Sequence, residues 1–112
     1  MNTTSLSAQA SATVVAGSTG IRHIATGATF SMATAVQLAV TTIGLAIIDG
    51  ATGGTTYLWR AVANVSSNGM TMIASPALNL YGSAATALTA EFSAGISNAS
   101  QMVTLTYHDT MG

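Results

Sequence analysis

The sequence contains no cysteine and no lysine, and charged residues make up only 4% of it. The absence of cysteine excludes disulfides, a thiolate nucleophile and a cysteine-type zinc site. Two arginines, Arg22 and Arg60, stand against Asp49, Glu91 and Asp109, which gives a net charge of −1. The chain therefore lacks the basic patch that phosphate groups or an anionic membrane surface require. We expect neither nucleic acid nor a membrane among its partners.

Almost half of the 112 residues are alanine, threonine or serine. Solubility must then depend on hydroxyl and amide groups, and a net charge near zero promotes association. The length fits one domain. The composition thus predicts a single-domain protein that works within an assembly.

The first twelve residues, MNTTSLSAQASA, have neither the basic region nor the apolar region of a secretory signal. They are polar. We expect residues 1–12 to form a flexible N-terminal arm and residues 13–112 to form the domain.

An uncharged run of 19 residues from Phe30 to Ile48, FSMATAVQLAVTTIGLAII, is long enough to span a bilayer. Gln37, Thr41 and Thr42 lie in the middle of the run, and no lysine or arginine flanks it closely. An uncharged run is also weak support in a chain with so few charges. We therefore favour strands over a transmembrane helix here.

The pattern along the chain is that of β-strands. Short apolar runs rich in valine, isoleucine and threonine recur between clusters of glycine, serine and asparagine. Eight segments fit this pattern: residues 9–15, 21–32, 36–49, 55–65, 70–75, 77–82, 86–92 and 100–109. The segment after Pro76 is expected at a sheet edge. The sequence predicts an all-β fold, a single antiparallel β-sandwich that is jelly-roll-like, with about seven to eight strands.

Strict alternation along a strand assigns side chains to opposite faces of a sheet. It places Arg22, Ile24, Thr26, Ala28 and Phe30 on one face of their segment. It also places Tyr57, Trp59 and Ala61 on one face of theirs, opposite Thr56, Leu58 and Arg60. The predicted core consists of Ile24, Phe30, Leu45, Ile47, Trp59, Leu88, Phe92, Val103 and Leu105.

Four stretches carry a resemblance to a known group: GIRHIAT at 20–26, IIDGATGGTTYLWR at 47–60, SPALNLYGSAATALTAEFSAG at 75–95 and VTLTYHD at 103–109. Their order resembles that of small β-sandwich structural proteins of tailed bacteriophage virions, over roughly residues 13–109. The resemblance implies a virion component, a head cement or decoration protein. The chain is poorer in charge and richer in alanine than most of that group.

The stretch around Asp49 invites a ligand-loop interpretation because three glycines follow it. Calcium takes six to eight oxygen ligands, usually from several carboxylates, and this loop offers one. A phosphate loop would open a helix and carry a lysine. We therefore predict a hairpin turn whose arms deliver Ile47 and Trp59 to one core, with Arg60 as the residue to watch for a partner contact.

His23 and His108, with Asp109, supply the only imidazole chemistry. A catalytic triad needs a nucleophile within hydrogen-bond reach, and zinc generally takes three or four protein ligands. We predict polar edge or interface histidines, either of which could titrate across a subunit contact. No catalytic, cofactor-binding or metal-binding residue is assigned, and no enzyme activity is expected.

Trp59 and Tyr57 could form a stacking platform for sugars or single-stranded nucleic acid. With only six aromatic residues in the chain, Trp59 is more simply explained as a core anchor. Met70 and Met72 share a strand face, which could be an interface.

The leading functional expectation is a capsid cement or decoration protein located on the virion surface. Its expected partners are the major capsid protein and further copies of itself, as a homotrimer or another symmetric oligomer. The alternative is a host-surface or carbohydrate-binding module of a head fibre or tail appendage. An ice-binding surface is disfavoured because threonines do not repeat in register.

Overall fold

The computed structural model describes residues 3–8, 12–34, 41–65, 69–74, 77–93 and 99–111. It describes side chains within residues 12–32, 42–62, 79–93 and 100–111. The described residues form strands, turns and loops, with no helix among them. No helix in this part of the chain is therefore long and apolar enough to cross a membrane.

Nine strands follow one another along the described chain. They are β1 (Thr3–Ala8), β2 (Ala12–Val15), β3 (Ile21–Thr34), β4 (Thr41–Asp49), β5 (Tyr57–Val65), β6 (Gly69–Ala74), β7 (Ala77–Ala84), β8 (Leu88–Phe92) and β9 (Ala99–Met111). One sheet has the order β1-β9-β3-β6, with β7 also paired to β3, and the other has the order β2-β8-β4-β5. Every pair is antiparallel. The all-β antiparallel sandwich predicted from the sequence is confirmed.

The strand pairing is nested from the outside of the chain inwards. β1 pairs with β9, β2 with β8, β3 with β6 and β7, and β4 with β5. β6 and β7 pair with successive halves of β3, so together they take the place of one strand. The chain thus forms one long antiparallel hairpin that folds over into two sheets. Each sheet has four strand positions, with β6 and β7 sharing one, and this is the jelly-roll topology.

The core lies between the two sheets and is built from alternate residues of the inner strands. Seven of the nine predicted core residues belong to this core: Phe30, Leu45, Ile47, Leu88, Phe92, Val103 and Leu105. Ile24 is buried but lies outside it. Trp59 is half-buried and packs on that core. Its ring stacks on Phe30, with ring centroids 5.8 Å apart, and Phe30 meets Phe92 edge to face at 5.5 Å. The prediction of Trp59 as a core anchor agrees with this packing.

A β-bulge in β3 changes which of its side chains face the core. In β3, Ala25 pairs with Tyr107 and Gly27 with Thr106, so Thr26 is an extra residue. Because a bulge shifts the alternation by one residue, His23 and Ala25 face inwards before it, and Ala28 and Phe30 after it. The expectation that Arg22, Ile24 and Thr26 share the face of Phe30 is wrong. Ile24 is buried on the outer side of its sheet.

The expectation of a free N-terminal arm is wrong for the described part of residues 1–12. Thr3–Ala8 pairs with β9 along its whole length, from Thr3 opposite His108 to Ala8 opposite Val103. Ala12 already belongs to β2. The sequence did not predict this strand because its residues are polar. Backbone hydrogen bonds along a sheet edge form without an apolar side-chain pattern.

The uncharged run from Phe30 to Ile48 is divided between two strands. Its first part ends β3 and its last part lies in β4, and these strands belong to different sheets. Residues 35–40 lie outside the described part of the chain. The short element after Pro76 is an outer strand, as predicted, although it extends to Ala84.

Candidate functional site

The outer face of the β2-β8-β4-β5 sheet carries a row of residues that runs across three strands. Glu91 of β8 and Arg60 of β5 both pair with Ala46 of β4, from opposite sides. One step along the sheet, Gly44 lies between Ser93 and Val62. The centre of this face is therefore made of small residues, with a carboxylate on one side and a guanidinium on the other.

A bulge in β5 places Tyr57 on the same face as Arg60. Ile47 pairs with Trp59 and Ile48 with Tyr57, so Leu58 is the extra residue. Leu58 and Trp59 both pack on the core, whereas Tyr57 is 39% exposed. The expectation that Tyr57 shares the inner face of Trp59 is wrong for this reason. The guanidinium carbon of Arg60 lies 4.2 Å from the centre of the Tyr57 ring, which is cation–π contact.

The loop between β4 and β5 folds back over the outer face of β4. The amide of Gly54 donates to the carbonyl of Ala51, and the amide of Asp49 to that of Thr56. Gly50 and Gly53 have φ values of +145° and +83°. Positive φ favours glycine, so these positions explain part of the glycine content that the sequence shows here. The hairpin turn is confirmed, and it covers Ile48, which is fully buried.

These elements enclose a groove of about 240 Å³ on the outer face. Its floor is Gly44 and Ala46, one end is the glycine turn, and its side walls carry Tyr57 with Arg60 and Glu91 with Ser93. No salt bridge of Arg60 or Glu91 occurs among the described residues, so neither side chain is neutralised by a partner there. Alternation alone did not predict this groove, because the Leu58 bulge creates one of its walls. Arg60 is exposed on this face.

Asp49 has a structural role between the two sheets. Its Oδ1 accepts a hydrogen bond from the Ser83 amide at 2.9 Å, and its Oδ2 accepts one from the Ser83 hydroxyl at 2.5 Å. Asp49 ends β4 and Ser83 lies in β7, so the carboxylate joins strands of opposite sheets. Both carboxylate oxygens of Asp49 therefore have partners within the chain.

A second polar cluster closes one end of the core, and its centre is His23. The Nδ1 atom of His23 lies 2.5 Å from Oδ1 of Asp109, although 86 residues separate the two in sequence. Nε2 of the same ring donates to the Ala16 carbonyl at 2.8 Å. The His23 side chain is 4% exposed and that of Asp109 is 46% exposed. The imidazole is thus buried and held at both nitrogens.

This cluster has two parts of a catalytic triad but not the arrangement of one. The ring nitrogen that would face a hydroxyl nucleophile instead faces the Ala16 backbone carbonyl. His108 points to the other side of β9 and joins neither contact. No group of three or more histidine, aspartate or glutamate residues that could hold a metal ion occurs among the described residues.

Tyr107 packs edge to face on His23, with ring centroids 5.5 Å apart. Burial raises the pKa of the Tyr107 phenol, and the negative charge of Asp109 raises it further. Arg22 lies beside this cluster on the outer side, and its Nε is buried without a hydrogen-bond partner in the described part of the chain. A cluster of polar side chains around His23 therefore closes this end of the sandwich.

The side chains of Met70 and Met72 lie outside the described residues. Their backbone forms β6, which pairs with the second half of β3.

No protein-family model matches the chain, and neither the curated proteins nor the solved structures include a significant match to it.

Proposed function

We propose that this chain is a structural virion protein, a capsid cement or decoration protein that binds the outer capsid lattice and bridges neighbouring subunits. Its partners in this proposal are the major capsid protein and further copies of the chain in a homotrimer or another symmetric oligomer. The sequence resemblance over roughly residues 13–109 points in this direction. A jelly-roll sandwich is compatible with it, because viral capsid domains use this architecture, although fold alone does not assign function.

The observation that carries the proposal is the distribution of charge. Arg22, Asp49 and Asp109 lie around the end of the sandwich that contains the His23 cluster, and Arg60 and Glu91 lie in the groove. These five side chains are all the arginine, aspartate and glutamate of the protein. The remaining described surface is uncharged and includes apolar side chains, among them Val62 at 75% and Tyr81 at 56% exposure.

Such a surface suits a lasting protein contact. Charged residues are depleted at the centres of protein interfaces, because burying an unpaired charge is costly. A lattice also offers many equivalent contacts, so weak individual contacts add up to strong attachment. The outer strands of both sheets can be covered or extended in the same assembly.

The test is sedimentation of the purified chain with undecorated capsids of its virus. We expect binding that saturates at a stoichiometry fixed by the lattice symmetry. Aspartate is then placed singly at exposed apolar positions on either sheet, as Val14→Asp and Val62→Asp on one and Tyr81→Asp and Met102→Asp on the other. Substitutions on the contacting face should abolish binding, and those on the other face should not.

Threonine or serine at the same four positions provides the matched controls, because these residues keep the surface uncharged. Failure of the folded wild-type chain to sediment with capsids would contradict the proposal. Equal binding by all four aspartate variants would contradict the role of the uncharged surface.

The second candidate is a host-surface or carbohydrate-binding module of a head fibre or tail appendage. One observation favours it: the groove brings an exposed aromatic ring, Tyr57, to the same site as the Glu91 carboxylate.

A further inference from the structure

We infer that the groove between Arg60 and Glu91 binds the hydroxyl groups of a neutral sugar, at the scale of one pyranose ring. This inference deepens the second candidate function and names its site. It does not depend on attachment to a capsid, because the groove belongs to a single chain.

The spacing of the two charged residues limits the ligand. Both flank Ala46 in register, so their strands lie two strand spacings apart, about 9.4–9.8 Å. Arg60 leans towards Tyr57, where its guanidinium lies on the ring, rather than towards Glu91. The two groups therefore remain unpaired across a floor of small residues, and a ligand between them must satisfy both.

The chemistry of these groups selects a ligand that donates on one side and accepts on the other. An ionised carboxylate only accepts hydrogen bonds, and a guanidinium only donates them. A hydroxyl does both, so a ring with hydroxyls around its edge satisfies Glu91 and Arg60 at once. The Ser93 hydroxyl accepts the Gly44 amide at 2.9 Å and retains its own proton for a ligand oxygen.

Other small ligands fit less well. One positive and one negative side chain give the groove no net charge, which disfavours a phosphate or another simple anion. In an α-amino acid the ammonium and carboxylate are attached to the same carbon atom, too close together to reach both walls. The groove volume of about 240 Å³ lies below the range of about 300–1,000 Å³ typical for drug-sized ligands, which favours a single ring.

The probes are methyl β-D-glucoside and methyl β-D-galactoside, titrated into the full chain and followed by saturation-transfer NMR and amide chemical shifts. We expect saturable binding of at least one glycoside, with a dissociation constant of the order of millimolar. Chemical-shift changes should map to Ala46, Arg60 and Glu91. Binding should be the same at low and high salt, since a neutral ligand is not attracted by screened charge.

Three variants test the site against one control. Glu91→Ala and Arg60→Ala should each weaken binding about tenfold or more, because each removes hydrogen bonds to a charged group. Ala46→Val should block binding by filling the floor. The control is Val62→Thr. Val62 lies on the same strand as Arg60 but outside the groove lining, so this variant should bind like the wild type.

Each variant is first checked for the wild-type β-sheet circular dichroism spectrum and thermal midpoint. No saturable binding of either glycoside by the folded wild-type chain would overturn the inference. Binding that persists unchanged in the Glu91 and Arg60 variants, or binding of inorganic phosphate in preference to both glycosides, would overturn it too. These results are independent of capsid sedimentation, so failure of one proposal leaves the other to be judged on its own assay.

Discussion

The buried imidazole of His23 contacts the carboxylate of Asp109 at 2.5 Å, and its other nitrogen donates to the Ala16 carbonyl at 2.8 Å. Asp109 lies near the C-terminal end of β9, and Ala16 lies in the loop between β2 and β3. One side chain therefore links a loop and two strands at the end of the core. This link gives the first prediction.

Asp109→Ala should lower the free energy of unfolding by about 1–3 kcal/mol, because it leaves Nδ1 of a buried imidazole without a partner. Asp109→Asn should cost less, since an amide can keep one hydrogen bond to the ring. His108→Ala, on the opposite side of the same strand, is the control. Urea unfolding measures all three, and an Asp109→Ala variant as stable as the wild type would contradict the structural role of the link.

Phe30 gives the largest expected loss of stability. Its side chain is fully buried and contacts both Trp59 and Phe92. Phe30→Ala should lower the free energy of unfolding by about 3–5 kcal/mol through lost burial and a residual cavity. Val62→Ala, at 75% exposure, should change it by less than about 0.5 kcal/mol. Similar losses in the two variants would show that the two sheets do not pack around Phe30.

The loop that supplies Ala16 is packed closely against the turn between β7 and β8. A Cβ on Gly17 would lie 2.6 Å from the Ala85 carbonyl oxygen, so Gly17→Ala must displace backbone and should cost about 1–3 kcal/mol. Gly20 has φ of +78° and no heavy atom near its Cβ position. Gly20→Asn should therefore be tolerated, since asparagine adopts this conformation more readily than most residues. Thermal unfolding distinguishes the two, and equal midpoints would contradict the packing.

Tyr107 predicts loss of stability at alkaline pH. Burial first, and then the charge of Asp109, raise the pKa of its phenol above that in the unfolded chain, about 10. The folded state then keeps a proton that the unfolded state has lost, so stability is complete below the unfolded pKa and falls as pH rises through the folded one. Tyr107→Phe should remove this part of the decline, whereas Tyr81→Phe at an exposed site should not. Unfolding between pH 8 and pH 11 measures it, and identical slopes for Tyr107→Phe and wild type would contradict the assignment.

Deleting residues 1–8 tests whether β1 contributes to the sheet as a paired strand. The deletion removes β1 and exposes the edge of β9 along which it pairs. We expect a lower free energy of unfolding and concentration-dependent association, because an uncovered strand edge is a template for pairing. A shortened chain that is as stable and as monodisperse as the full chain would support a free arm and contradict the strand.

The sequence was sufficient to predict the all-β sandwich and most of its strands, because apolar alternation and turn residues are local signals. Leu88, Ala90 and Phe92 face the core as alternation predicts. The bulges at Thr26 and Leu58 were not predictable in this way, since one inserted residue reverses every later assignment to a face. That reversal brings Tyr57 beside Arg60 and is why the groove was missed.

Contacts between residues far apart in the sequence also could not be predicted. Nothing in the local sequence joins His23 to Asp109 or Asp49 to Ser83, since the partners meet only through the strand order. The turn at Asp49 was predicted correctly from its glycines, whereas the bond from its carboxylate to the opposite sheet was not predicted. Strand β1 was missed because its sequence is polar, and backbone pairing along a sheet edge does not require an apolar pattern.

The most direct test of the proposed capsid role is a cryo-electron microscopy reconstruction of capsids incubated with the purified chain, compared with undecorated capsids. If the chain is a decoration protein, added density should fit the jelly-roll sandwich, repeat at one class of lattice position and bridge adjacent subunits through an uncharged face. Capsids that show no added density, under conditions where the chain remains folded, would contradict it.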